Sequence, residues 1–313
     1  MLARNMLCYI CADLVKYLKK IILSREFLTQ HRKSDKDFTR RRSLPFPTLI
    51  LFLVNLVKGS IQDELDNFFK AINGMDVAVR TVTKSAFCKA RKRLKYQAFV
   101  ELNSELVNFF YKQFTYRRWN GFRLLAGDGS TIRTPRTKEA ADHFGSWNPA
   151  KGESCPIARV SHIFDVLNKV TVHAIIGPKR KGERALLAEH LTCIGPMDLL
   201  LLDRGYPAFW LFALILSKGA HFCARITNEH WKIIRKFYNS GKKEDFIYLS
   251  PSPPSVKQCQ RRELPLSRIK LRVIRIELDN GEVEILITSL LDKDKYPYEI
   301  FKELIRVFIL VQE

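Results

Sequence analysis

The sequence predicts an α/β fold with a helical leading domain, a mixed-sheet core and a β-rich insertion. Three observations carry this. Apolar residues recur at three- and four-residue intervals up to about residue 115. From Gly121 the pattern changes to short apolar runs broken by Asp-Gly and Asp-Arg-Gly. A strict apolar/polar alternation then runs through RIKLRVIRIELDNGEVEILITSL. The division expected is residues 1–115 as a helical domain, 116–226 as the core, 227–290 as the insertion and 291–313 as the start of a last helix.

Taken in order, MLARNMLCYICADLVKYLKK has Asp13 and Lys16 within its apolar stretch and reads as an amphipathic helix rather than a signal peptide. Ser60, followed by Asp63 and Glu64, marks a helix start. Ser85 is the expected cap of the next helix, along which Lys89, Arg91, Lys92, Arg93 and Lys95 run. A basic helix after a short turn suits a DNA-reading element, and a solvated face suits the pattern equally. FRLLAGDGSTIR reads as a buried strand that meets a turn at Asp128-Gly129-Ser130. ARVSHIFDVLNKVTVHAIIG reads as a hairpin turning at Asn168-Lys169. ERALLAEHL is a helix with Glu183 near its start. Leu199 to Leu202 is a central strand ended by Asp203, AFWLFALILSKG a buried helix closed by Gly219, and AHFCARI a further strand. The alternating segment is a hairpin with its turn at Asp279-Asn280-Gly281, and YPYEIFKELIRVFILVQE begins as a helix.

Composition limits the partner. Of 313 residues, 46% are hydrophobic and 27% charged, with 53 Lys and Arg against 32 Asp and Glu, a net charge of +21. Such an excess favours a polyanion, through counterion release from phosphates. The apolar run Leu44 to Val57 contains Pro45 and Pro47 and is shorter than the roughly 20 residues a membrane span needs, so no membrane partner is expected. Seven cysteines without framework spacing suit reduced thiols and a cytoplasmic setting. Cys8 and Cys11 form a lone C-x-x-C with no histidine before His31, too little for zinc.

The candidate chemistry lies in Asp128 and Asp203, each where an apolar strand gives way to a glycine-containing turn. Strand ends fix carboxylates rigidly and leave space for substrate. Two carboxylates meeting there can hold Mg²⁺ or Mn²⁺, hard ions that prefer oxygen ligands, for in-line displacement at phosphorus. A lone Asp-Gly more often caps a turn; the pair within a basic chain points to a site.

GDGSTIRTP around Asp128 and LLLDRGYP around Asp203 resemble the first two acidic motifs of DDE transposases. The resemblance is to the large bacterial insertion-sequence family whose third motif reads Tyr-x2-Arg-x3-Glu-x6-Lys. DFTRRRSLPFPTLILFLVNLVKGSIQDELDNFF and TKSAFCKARKRL are similar to that family's leading domain. The resemblance implies an RNase H-like catalytic core, with Asp128 and Asp203 as catalytic metal ligands. It places Arg204 and Tyr206 at phosphate or flanking bases. With the basic helix residues Lys89, Arg91, Lys92 and Arg93, these are the expected DNA contacts. It implies DNA cleavage and strand transfer at the inverted repeats of the element's own ends, double-stranded DNA as partner, a homodimer when active, and a cytoplasmic, nucleoid-associated location.

The chain departs from the family at the third motif. Where Tyr, Arg and Glu belong, it has Ile305, Phe308 and Gln312, with Glu313 one place late. The expectation is a truncated or frameshifted C-terminus. The alternative function is then a catalytically incomplete remnant that binds DNA without cutting it. Glu299, Glu303 and Glu313 are fallback third carboxylates. His162 is expected as a satisfied core residue, Arg40, Arg41 and Arg42 as either a phosphate grip or a solvated cluster, and Trp147 as packing on the core edge or a stacking platform for a displaced base.

Overall fold

A computed structural model describes residues 2–40, 42–55, 58–150, 152–278 and 281–312, without the side chains of 2–10 and 308–312. The expected turn at Asp279-Asn280 and the candidate Glu313 lie outside the described residues. The chain forms two compact units, Met1–Thr115 and Tyr116–Glu313.

The first unit is helical, as its periodicity predicts: α1 (Leu2–Ile22), α2 (Arg25–His31), α3 (Phe46–Val54), α4 (Ile61–Ile72), α5 (Lys84–Arg91) and α6 (Gln97–Gln113). Its core is aromatic, with Phe27, Phe46, Phe52, Phe69 and Phe87 buried and the Phe52 and Phe87 rings in edge contact at 5.0 Å. Two capping expectations are corrected. Thr83, not Ser85, caps α5, its hydroxyl accepting from the Ala86 N–H, because Ser85 already lies within the helix. Ser60 occupies the cap of α4 without a side-chain bond; Glu64 instead accepts from the Lys58 and Gly59 N–H groups.

The second unit is built on one mixed sheet. Its strands are β1 (Arg123–Arg133), β2 (Ser146–Trp147), β3 (Cys155–Asp165), β4 (Val170–Pro178), β5 (Asp198–Leu202), β6 (His221–Ile226), β7 (Glu244–Leu249), β8 (Ile269–Glu277) and β9 (Val283–Thr288). The order across the sheet is β4-β3-β1-β5-β6-β9-β8-β7, with β2 on the start of β3. β1, β3 and β4 pair antiparallel, and β1, β5 and β6 parallel. This is the RNase H-like mixed sheet the resemblance implies. The strands of residues 227–290 extend the same sheet through β6–β9.

The Asn168-Lys169 turn forms as read: Lys169 takes φ 58°, and the Asp165 carboxylate accepts from the Leu167 and Asn168 N–H groups. All five residues of β5 are buried, as a central parallel strand requires. Helices α7 (Lys138–Phe144), α8 (Glu183–His190), α9 (Phe209–Ser217), α10 (Lys232–Asn239), α11 (Pro253–Gln260) and α12 (Tyr298–Gln312) complete the unit. Phe301, Leu304 and Ile305 of α12 pack in one cluster with Leu124, Ala126, Leu199, Leu201, Cys223 and Leu286, so α12 covers that face of the sheet. Leu187 of α8 approaches Gly127 from the other face. No helix among the described residues is long and apolar enough to cross a membrane.

Behind the α8 face runs a buried relay. His190 bonds Ser161 Oγ through Nε2 (3.0 Å) and His173 Nδ1 through its own Nδ1 (2.8 Å). Burial, with His173 and His162 adding to it, pushes the His190 pKa down to about 4. The unfolded chain therefore takes up a proton at this residue that the folded chain refuses. The resulting stability is intact above about pH 6.5 and lost as pH falls toward 4. The expected loss is on the order of 2 kcal/mol. Thermal melts at pH 7 and 4.5 check it: the drop should be smaller in His190→Gln than in wild type, and an equal drop would contradict it.

Candidate active site

β1 does not end at Asp128. The expected turn at Asp128-Gly129-Ser130 is absent, and the strand runs on to Arg133, paired with β3 as far as Ile157. The glycines serve packing instead. A Cβ on Gly127 would lie 2.9 Å from Leu187 Cδ1, and one on Gly129 would lie 3.4 Å from Glu183 Cγ and 3.5 Å from the Tyr206 hydroxyl. Gly127→Ala should therefore cost about 1 kcal/mol, and Gly129→Ala less, in urea unfolding.

Asp128 is thus an exposed side chain in mid-strand, paired on the β3 side with His162 and one residue past the last pair with β5. Asp203 is the first residue beyond β5, where the Tyr206 N–H closes a turn onto the Asp203 carbonyl (3.0 Å). The parallel register pairs Gly127 with Leu202, so Asp128 and Asp203 are the next residues on neighbouring strands, which lie about 4.8 Å apart. Pleat alternation puts Asp128 on the face of Leu124 and Ala126. Asp203 meets Arg225, two residues on from Cys223 of that same face. Both carboxylates therefore stand on the side covered by α12. The structure brings together the two acids singled out in the sequence.

Around them is a network that the sequence did not disclose. Arg225 of β6 lies 3.5 Å from Asp203 Oδ1 and 2.5 Å from Glu284 of β9, and Arg204 also bonds Glu284. Burial works against the Arg225 charge, but Glu284 and Asp203 outweigh it and raise its pKa. Asp203 Oδ1 is buried and has no hydrogen-bond donor. His162 stands directly opposite Asp128 in the β1–β3 register, half-buried. It neighbours the site instead of filling the core.

Tyr206 is only 3% exposed, which leaves its ring no surface for a flanking base. Its hydroxyl is also without a partner. Its pKa is raised, first by burial and then by Glu183, Asp128 and Asp203. Glu183 pairs with Arg159 at 2.9 Å from the α8 side. Among the described residues no group of three or more His, Cys, Asp or Glu is placed to hold a metal ion. Two carboxylates on one face still fit a hard ion that completes its shell with water and phosphate oxygens. The orphaned Asp203 oxygen is what such an ion would meet.

The basic residues of the first unit separate into distinct roles. Lys89 lines a cleft of about 1010 Å³ together with Arg40, Arg42 and Arg93. Arg93 is tied to Asp37 at 3.5 Å, Arg91 lies over the Phe87 ring, and Lys92 is the exposed C-cap of α5. Trp147, in β2, is 45% exposed, not packed away. Glu299 and Glu303 lie on α12.

Residues 119–306, more than half of the chain, match the family described as Transposase DDE domain. The transposase InsG for insertion sequence element IS4 of Escherichia coli (strain K12) is 24% identical over 273 residues, which are 82% of this chain and 58% of that protein. The chain thus spans less than two thirds of that relative's length. The piggyBac transposase synaptic complex with hairpin DNA, solved by cryo-electron microscopy, aligns with a TM-score of 0.47 and 10% identity, over 88% of this chain and 60% of that one. By its family match the chain belongs to the transposases with a DDE domain.

Proposed function

We propose that the protein cuts and rejoins DNA at the ends of its own insertion sequence, with Asp128 and Asp203 as ligands for Mg²⁺ or Mn²⁺. The observation that carries this is their position, each one residue past the paired Gly127 and Leu202 of the adjacent parallel strands β1 and β5 and on one face. When bound there, the divalent ion supplies activation of a water or 3′-hydroxyl and stabilisation of the leaving oxygen. The chain's own groups do the rest. Asp128 and Asp203 orient the ion against the scissile phosphate. Arg204, about half exposed, offers a guanidinium to a neighbouring phosphate.

The first unit has twenty-one Lys and Arg against ten Asp and Glu and is read as the DNA-gripping part. Arg40, Arg42 and Lys89 around its cleft are the proposed phosphate contacts, joined by the exposed Lys92. Arg40→Ala and Lys89→Ala should each weaken DNA binding regardless of sequence. Each should also reduce the slope of log affinity against log salt by roughly one unit. Unchanged slopes in fluorescence-anisotropy titrations would remove this cleft from the interface.

A second reading has its own observation. Ile305, where the family's third motif has Tyr, is 2% exposed in the α12 core, and position 312 has a neutral amide where the family has a carboxylate. This favours a protein that occupies element ends without cutting them. A supercoiled plasmid containing the inverted repeats separates the two. Mg²⁺-dependent nicking at the repeats, lost in Asp128→Ala, supports the enzyme. Tight end binding with no cleavage in Mg²⁺ or Mn²⁺ supports the second reading, and cleavage indifferent to the repeats contradicts both.

A further inference from the structure

We propose that Glu284, in β9, is a positioning residue for the carboxylate site: it holds Arg225 back from Asp203, so that Asp203 stays available to a divalent ion. The inference rests on the reading of Asp128 and Asp203 as metal ligands. Glu284 has a side chain only 4% exposed and is the shared anchor of two guanidiniums, Arg225 and Arg204. Arg225 reaches it through Nη2 at 2.5 Å and through Nε at 3.4 Å. The same guanidinium stands 3.5 Å from Asp203 Oδ1 and donates no hydrogen bond to that oxygen.

A buried arginine between two carboxylates binds whichever offers the better geometry, and here the closer partner is Glu284. Without that anion, Asp203, 3.5 Å away, is a carboxylate already within reach of the Arg225 charge. A fork-shaped bond there would occupy the oxygens a cation needs. The residue pattern supports the geometry. Arg225 lies two positions from Cys223, and Glu284 two from Leu286, both of the cluster beneath α12, so all three charged groups share one face. Glu284 also draws in Arg204, the neighbour of Asp203 in the turn, which limits how far that turn can open.

The test is Mn²⁺ binding to the full chain without DNA, followed by electron paramagnetic resonance of the free ion. In Glu284→Gln the affinity should fall roughly tenfold, because Arg225 closes on Asp203. In Arg225→Gln it should rise severalfold, because the competing cation is gone, and the Glu284→Gln/Arg225→Gln pair should return toward wild type. Opposite signs are the signature, since a merely structural role would weaken binding in all three. Should Glu284→Gln fail to fold, Glu284→Asp and Arg225→Gln give the same comparison, with weaker binding expected in the first and tighter in the second. If Asp203→Ala abolishes Mn²⁺ binding while the Glu284 and Arg225 variants leave it unchanged, the positioning role is overturned and the metal-ligand reading stands. If Asp203→Ala binds Mn²⁺ like wild type, both fall.

Discussion

Replacing Asp128 or Asp203 with alanine is expected to reduce Mg²⁺-dependent strand cleavage by roughly a thousandfold or more, since a metal ligand supports several kcal/mol of transition-state stabilisation. Stability should barely change. Asp128 is exposed, so its loss leaves no buried group unpaired. Arg225, which loses one partner in Asp203→Ala, keeps Glu284 at 2.5 Å. Binding to end DNA should also persist, because phosphate neutralisation is the work of arginines and lysines elsewhere in the chain. Single-turnover cleavage, thermal melting and DNA titration of the same variants separate these outcomes. A carboxylate-free variant that still cleaves at wild-type rate would end the enzymatic reading.

The largest stability effect is expected at the other end of the sheet. Arg272, in the interior of β8, is fully buried. It donates to Glu244 of β7 through Nε at 2.9 Å and to the Tyr296 carbonyl at 2.6 Å, with its guanidinium over the Phe301 ring at 5.1 Å. Burial favours the neutral form of Glu244, but Lys293 and Arg272 outweigh it and lower its pKa. Glu244→Ala strands a buried guanidinium and should cost about 3–5 kcal/mol in urea unfolding. Arg272→Met should cost less, about 2 kcal/mol at most, because Glu244 is partly exposed and retains Lys293 at 2.7 Å. The double replacement Glu244→Leu with Arg272→Met should recover most of the loss. The effect bears on the site because Tyr296 and Phe301 belong to the cluster that seats α12 over the carboxylate face.

The parts of this structure written in local sequence were readable; the parts set by tertiary pairing were not. The apolar periodicity of the first unit, the Leu199–Leu202 run and the Asn168-Lys169 turn each have a local cause, and each appears in place. Asp203 ends its strand because Gly205 and the turn follow at once. The same signal marks Asp128 as a strand end, yet Gly127 and Gly129 are there because α8 and Tyr206 pack too closely for side chains. An Asp-Gly pair cannot by itself distinguish a turn from a close approach. Ser85 lost its expected role to Thr83 through a two-residue shift in helix start, a scale at which boundary signals overlap. Glu284, Arg225 and His162 carry no local signal at all. The register of β3, β6 and β9 sets His162 opposite Asp128 and brings Arg225, held by Glu284, to Asp203, and only the alternation of those strands hints at which face they share.

Crystals of the protein with end DNA, soaked in Mn²⁺ and measured for anomalous scattering, would test the shared site most directly. The expected result is a peak bonded, at about 2.1 Å, to carboxylate oxygens of both Asp128 and Asp203. A peak on neither aspartate, or on only one of them with the other turned to the opposite face of the sheet, would contradict it.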